Sequence, residues 1–302
     1  MKVKLLYTTG NRDIQETIWN KPEPTDNQIE VKSILTGICS SDVAMYNGEF
    51  PMLPKEIQGH EGLGMVTKVG SLVESNSNIA VGDLVATRGE PAFADYYNVN
   101  YNEFVKVNEA LPKYILEPVA CGYNIVHAMN KLGSVAIIGS GFLARVVHHE
   151  LARKGYSDIY VYGGAYSDYW KKHNVWQNKN KAHHLEMPVG VSGFDFVIDF
   201  SDKPEHMQND YVNENGMYIV AADKKVELDL GKFLWKNITI KCPSPRDPNF
   251  YNCLRYAREA VASGSIDVND MWCNSYHRDD AKTAFENRTN GIDKGRTYLT
   301  WQ

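Results

Sequence analysis

The chain has 302 residues, 43% of them hydrophobic and 23% charged, with a formal net charge of −5. That length exceeds one small domain and points to two, with apolar residues enough for sizeable cores. The mild acidity and scattered basic residues exclude an electrostatic footprint for nucleic acid or an anionic membrane, and no segment approaches the about 18 consecutive apolar residues of a membrane helix.

The opening "MKVKLLYTTGNRD" has too short an apolar run for a signal peptide. Cys39, Cys121, Cys242, Cys253 and Cys273 are odd in number and widely spaced, which argues for a reducing, cytoplasmic setting and against a disulfide framework. The first third reads as short strands with turn punctuation: "QIEVKSIL", "GLGMVTKVG" and "VGDLVAT", with glycines that fit tight turns or a small barrel. From Ser134 the texture changes. "SVAIIGSGFLARVVHHELARKG" is an apolar strand, a glycine turn and a helix, and "SDIYVYGG", "FDFVIDFS" and "GMYIVAAD" are further strands. Strands alternating with helices imply a parallel sheet covered on both faces. "NFYNCLRYAREAVASG" and "DAKTAFENRTNG" are helices that stop at glycine, and "GRTYLTWQ" closes the chain as a strand.

"GSGFLA", Gly139, Ser140, Gly141, Phe142, Leu143 and Ala144, fits G-x-G-x-x-G/A between strand and helix. Gly139 permits the tight turn, Gly141 lets a pyrophosphate approach the backbone, and Ala144 lets helix and strand pack closely. The alternative is a glycine turn that binds nothing. A carboxylate closing the next strand would grip the ribose of NAD, but Tyr162, Gly163 and Gly164 stand there. Without it a 2′-phosphate meets no repulsion. The two glycines leave the pocket roomy and uncharged, and Tyr166, Ser167, Lys171 and Lys172 lie just beyond, so NADP(H) is favoured over NAD(H). The lysines are equally readable as a solvated helix face. Strand ends at Phe200, Ser201, Val220 and Ala221 are expected to border the cofactor.

Cys39, His60 and Glu61 offer a thiolate, an imidazole and a carboxylate, all good zinc ligands in combination. Together with "GICSSD", "GHEGLGMVTKVG", "VGDLVA", "LEPVACGYNIVHA", "GSGFLA" and "FDFVIDFS", in this order, they make the chain resemble the zinc-dependent medium-chain alcohol and polyol dehydrogenases. "WKNITIKCPS" and "AFENRTNGIDKGRTYLT" extend the resemblance to nearly the whole chain.

The resemblance implies an α/β chain: a GroES-like β-barrel catalytic domain over 1–118 and 243–302, and a Rossmann doubly wound parallel-sheet cofactor domain over 119–242. It implies a catalytic zinc on Cys39, His60 and Glu117, with Glu61 beside the metal and exchangeable with water. Cys121 is a weaker ligand candidate, four residues past Glu117. Asp42 would orient His60, and Ser41 would bond the substrate oxygen and start the proton relay. Two departures stand out. Ala44 occupies the position where many members carry a relay histidine, and "VATRGEPAFADYY" runs through without the cysteine-rich lobe of a structural zinc. One zinc per chain is therefore expected, in a short member of the family, as a homodimer. The implied reaction moves hydride between nicotinamide and an alcohol or aldehyde (or ketone), with zinc as Lewis acid, in a cleft between the domains. Tyr46, Phe50 and Met52 point to an apolar or aromatic substrate, or else are core. The competing functions are a zinc-free quinone-reductase-like enzyme, against which the retained ligands argue, and a catalytically silent dinucleotide-binding protein.

Overall fold

The computed structural model describes residues 1–179, 186–201, 203–208, 211–222 and 226–302. It divides into two compact units, Met1–Ala120 with Tyr251–Gln302, and Cys121–Phe250.

The first unit opens with β1 (Lys2–Gly10) and β2 (Asp13–Asn20), an antiparallel hairpin. Its turn residues Asn11 and Arg12 have φ of 53° and 56°, the mirror-image turn that matches strand twist. Next come β3 (Gln28–Gly37), α1 (Ser40–Asn47), β4 (Glu61–Val69), α2 (Ser71–Asn76), β5 (Leu84–Thr87), β6 (Tyr96–Asn100) and β7 (Phe104–Val107). β3 is the hub. It pairs along its length with β4, and its first half also pairs with β6. Ile29, Val31, Val66, Val85, Tyr97, Val99 and Phe104 meet beneath these strands as one buried cluster. The run from β5 to β6 is short, with Ala92, Phe93 and Ala94 buried in it.

The helix α3 (Glu117–His127) leads into the second unit, which continues β8 (Val135–Ile138), α4 (Phe142–Arg153), β9 (Ile159–Tyr162), α5 (Ser167–Lys172), β10 (Trp176–Asn178), β11 (Phe194–Asp199), β12 (Val212–Val220), α6 (Leu230–Trp235) and β13 (Thr239–Lys241). The sheet order is β10-β9-β8-β11-β12-β13, every neighbour parallel. All four residues of β8 are buried because both sheet faces are covered: Val135 and Ile137 enter one core, Ala136 and Ile138 the other. This is the doubly wound order of a dinucleotide-binding sheet, and its direction reverses between β8 and β11, where such folds open a crevice at the strands' carboxyl ends.

The chain then completes the first unit with α7 (Phe250–Ala262), β14 (Trp272–His277), α8 (Ala281–Thr289) and β15 (Arg296–Thr300). β15 pairs with the second half of β3, giving a seven-stranded sheet. Beside it Leu6, Ile38, Tyr46, Phe93, Phe285, Leu299 and Trp301 form a second core. No helix among the described residues is long and apolar enough to cross a membrane.

Candidate active site

Cys39 stands at the N-cap of α1, where the chain leaves β3. The Asp42 carboxylate, one turn on, accepts a hydrogen bond from the Cys39 backbone N–H at 2.8 Å. That capping bond satisfies an otherwise orphaned helix donor and fixes the direction in which the thiol leaves the backbone. His60 and Glu61 arrive at the start of β4, which lies beside β3. The donor atoms of Cys39, His60 and Glu61 all fall within 4.8 Å of one another. Cys39 and His60 are half-buried and Glu61 is fully buried.

The neighbours explain how a buried carboxylate is tolerated. Glu61 Oε2 is ion-paired with the guanidinium of Arg296, at the start of β15, and Arg296 lies over the Trp272 ring at 5.0 Å. Gly37 faces Glu61 across the β3–β4 ladder, and a Cβ there would sit 2.0 Å from Glu61 Oε2. Gly37 is therefore the room in which the carboxylate turns. Glu61 Oε1 is buried and meets no hydrogen-bond partner. Leaving a carboxylate oxygen in that state is costly unless a cation completes it.

Burial pushes the Asp42 carboxyl up to about 6, with His60 opposing and Glu61 adding to the rise. For His60, burial lowers the pKa, but Asp42, the hydrogen bond to Cys39 and the charge of Glu117 outweigh it, and the imidazole is held well above its ordinary range. The pocket is thus rich in negative charge. A thiolate, an imidazole and a buried unsatisfied carboxylate are the donor chemistry of zinc, so the residues fit the ion.

The other expected site residues in this unit are distributed as follows. Glu117, first residue of α3 and buried, stands outside the 4.8 Å set, yet its charge reaches both His60 and Arg296. Asp42 Oδ1 is 3.9 Å from His60 Nδ1, an electrostatic contact longer than a hydrogen bond. Ser41 is half-buried in the first turn of α1. Of the two readings left open for Tyr46, the structure shows the core: it is fully buried and packs on Phe285 at 5.3 Å. Met52 is exposed and Phe50 half-buried. Arg296 and Gly37 were not singled out from the sequence. The one trace of Arg296 there is a cation at the start of the strand-like "GRTYLTW".

In the second unit, Gly139 has φ 102° and its missing Cβ would lie 3.0 Å from Phe200 Cβ, so glycine is needed for both turn and contact. Gly141, the N-cap of α4, has nothing within 4 Å of an added Cβ. Open space there, before the free N–H groups of a helix, fits a pyrophosphate. Ser140 Oγ accepts from the Ala165 N–H at 2.8 Å and ties this loop to the one after β9. Phe142 and Ala144 are buried, Leu143 half-buried. Gly163 corrects the expectation of a roomy pocket: its φ is 141°, and a Cβ would sit 2.6 Å from Ser140 Oγ. Gly164 alone keeps open space around it. The Tyr162 ring is buried against Trp176 and Phe194, and Lys171 and Lys172 are exposed at the end of α5. Phe200 and Ser201 follow β11, while Val220 ends and Ala221 follows β12, so all four lie at the carboxyl ends of neighbouring strands.

Residues 25–110 match the family model of the alcohol dehydrogenase GroES-like domain. A sorbitol dehydrogenase of Halalkalibacterium halodurans is 36% identical over 87 residues, which are 28% of this chain and 23% of that enzyme. The chain thus spans less than a quarter of that curated relative's length. Among solved structures, 2R,3R-butanediol dehydrogenase from Bacillus subtilis superposes over 100% of both chains with a TM-score of 0.76 at 16% identity. Acetophenone reductase from Geotrichum candidum, in complex with NAD, covers 99% of this chain and 97% of its own with a TM-score of 0.79 at 18% identity. Residues 25–110 thus carry the GroES-like domain of alcohol dehydrogenases around Cys39, His60 and Glu61, and the whole chain shares its fold, a GroES-like unit with a doubly wound sheet, with zinc-type dehydrogenases of known structure.

Proposed function

We propose that the protein is a zinc-dependent oxidoreductase that transfers hydride between NADP(H) and a small alcohol, aldehyde or ketone. The observation that carries this reading is the set of Cys39, His60 and Glu61 donors within 4.8 Å, with a buried Glu61 oxygen that lacks a partner. Cys39 and His60 would hold the ion, with Glu61 or Glu117 as the carboxylate ligand. When bound, zinc supplies Lewis-acid polarisation of the substrate oxygen. The chain's own residues do the rest. Asp42 holds Cys39 in place and lends its charge to His60, Arg296 holds Glu61, and Ser41 exchanges a proton with the substrate hydroxyl. Gly139, Ser140 and Gly141 accept the pyrophosphate, with Phe142, Leu143 and Ala144 opening the helix behind it.

Preference for NADP(H) is supported by the absence of a carboxylate at Tyr162, Gly163 and Gly164 and by positive charge near that loop. Arg145, on α4, stacks 4.8 Å over the Tyr166 ring, one residue beyond Ala165. A zinc-free quinone-reductase-like activity has no use for the donor set. We assign the enzyme to the cytoplasm as a homodimer. The test is steady-state kinetics with NADPH and NADH against aliphatic and aromatic aldehydes and ketones, before and after zinc chelation. NADPH-dependent, chelator-sensitive reduction is expected; turnover indifferent to complete zinc removal would defeat the proposal.

A further inference from the structure

The carboxyl end of β11 carries a hydrogen-bond chain that neither the donor set nor the glycine loop uses. Asp199, fully buried, ends the strand. Its Oδ1 accepts from the Ser201 N–H at 2.8 Å and from the Ser201 hydroxyl at 2.6 Å, and its Oδ2 accepts from the Tyr218 hydroxyl. Burial and the Asp199 carboxylate hold Tyr218 well above its ordinary range, so that hydroxyl keeps its proton and donates. A carboxylate is an acceptor alone, so the single hydroxyl proton of Ser201 is committed to Asp199. Ser201 Oγ also lies 2.8 Å from His206 Nδ1. With its own proton spent, Oγ meets the imidazole as an acceptor. His206, 5% exposed, therefore carries a proton at Nδ1 and donates it.

The same turn touches the glycine loop. The Phe200 N–H donates to Ile138 O at 2.8 Å, and a Cβ on Gly139 would lie 3.0 Å from Phe200 Cβ. A shift of the Phe200–Ser201 turn toward β8 would therefore close on Gly139. We infer that His206 is a positioning residue of the dinucleotide site: through its Nδ1–H it fixes Ser201, and with Asp199 it holds the Phe200–Ser201 turn clear of the glycine loop. The inference rests on the proposed dinucleotide reading of Gly139–Ala144. His206 acts through Ser201 and not on the ligand, so its loss should weaken binding and leave the chemical step alone.

Chemistry chooses the variants. Asn presents an amide N–H near the position of Nδ1, whereas Leu presents none. NADPH and NADH would be titrated by nicotinamide fluorescence into wild type, His206→Asn, His206→Leu, Ser201→Ala and the His206→Leu/Ser201→Ala pair, with thermal midpoints taken without dinucleotide. We expect His206→Leu to weaken binding by roughly five- to tenfold, the worth of one hydrogen bond, and His206→Asn to stay within about twofold. The pair should be no worse than Ser201→Ala alone, because removing the Ser201 hydroxyl already breaks the contact that His206→Leu removes. Unchanged binding in His206→Leu, additive losses in the pair, or equal losses in Asn and Leu that follow their thermal midpoints would each overturn the inference. A folded wild type that binds neither dinucleotide would overturn the cofactor reading with it.

Discussion

Gly37 and Glu61 set the tolerance of the donor site atom by atom. A methyl at Gly37 would fall 2.0 Å from Glu61 Oε2, the oxygen paired with Arg296. Gly37→Ala should push the carboxylate off its cation, at about 1–3 kcal/mol of stability for overpacking, with looser zinc retention. Thermal denaturation together with metal analysis checks this, and a variant matching wild type in both would show that the carboxylate has other room. The two glycines after β9 behave differently from each other. Gly163→Asp meets Ser140 at a backbone φ of 141° and should destabilise the fold, whereas Gly164→Asp enters open space. Gly164→Asp should shift preference toward NADH by on the order of 1–3 kcal/mol, chiefly through weaker NADPH binding. Kinetics with both cofactors decide, and an unmoved preference would place ribose recognition elsewhere. Cys39, His60 and Glu61 were legible because sequence motifs carry them. Arg296 was not, because its partner Glu61 is 235 positions away and only the fold joins them.

At the scale of elements, periodicity found the strands that are apolar on both faces and the helices that end at glycine. Gly264 and Gly291, just past α7 and α8, have φ of 71° and 66° and stop them as expected. Periodicity missed β6, β7 and β14 as well as β10 (Trp176–Asn178) and β13 (Thr239–Lys241), and the last two are three residues each and partly exposed, too short to show a period. The β1–β2 hairpin was hidden by its turn, since arginine at positive φ is not a turn signal. The α4 helix carries a testable acid response. His148 is buried, with its Nδ1 2.9 Å from the Tyr169 hydroxyl. Burial, then His173 and His149, lower its pKa to about 4. Its folded value lies below the unfolded one, so its contribution is complete above about pH 6.5 and is lost as pH falls toward 4, on the order of 3 kcal/mol in all. In urea unfolding at stepped pH, the stability gap between wild type and His148→Phe should shrink across that window. Parallel curves would mean that the imidazole does not resist protonation.

At the scale of the whole molecule, the first unit is built from both ends of the chain. Glu61 is held by Arg296 from the last strand, Thr36 Oγ1 accepts from the Trp301 indole N–H at 2.9 Å, and Arg278 pairs with Glu16 and Asp95. The donor set is thus a property of the finished fold, not of the segment that contains Cys39 and His60. The two-part plan was legible because strand–helix alternation begins sharply at Ser134. The branching of sheet partners around β3 was not, because pairing between strands far apart in sequence leaves no local mark. The proposed activity requires metal held by that fold. The direct measurement is zinc content by mass spectrometry in wild type and Cys39→Ser, each with its fold checked by circular dichroism. We predict about one zinc per chain in wild type and loss of most of it in folded Cys39→Ser, since a hydroxyl replaces a thiolate poorly. Full zinc occupancy in folded Cys39→Ser, or none in wild type purified without chelator, would contradict it.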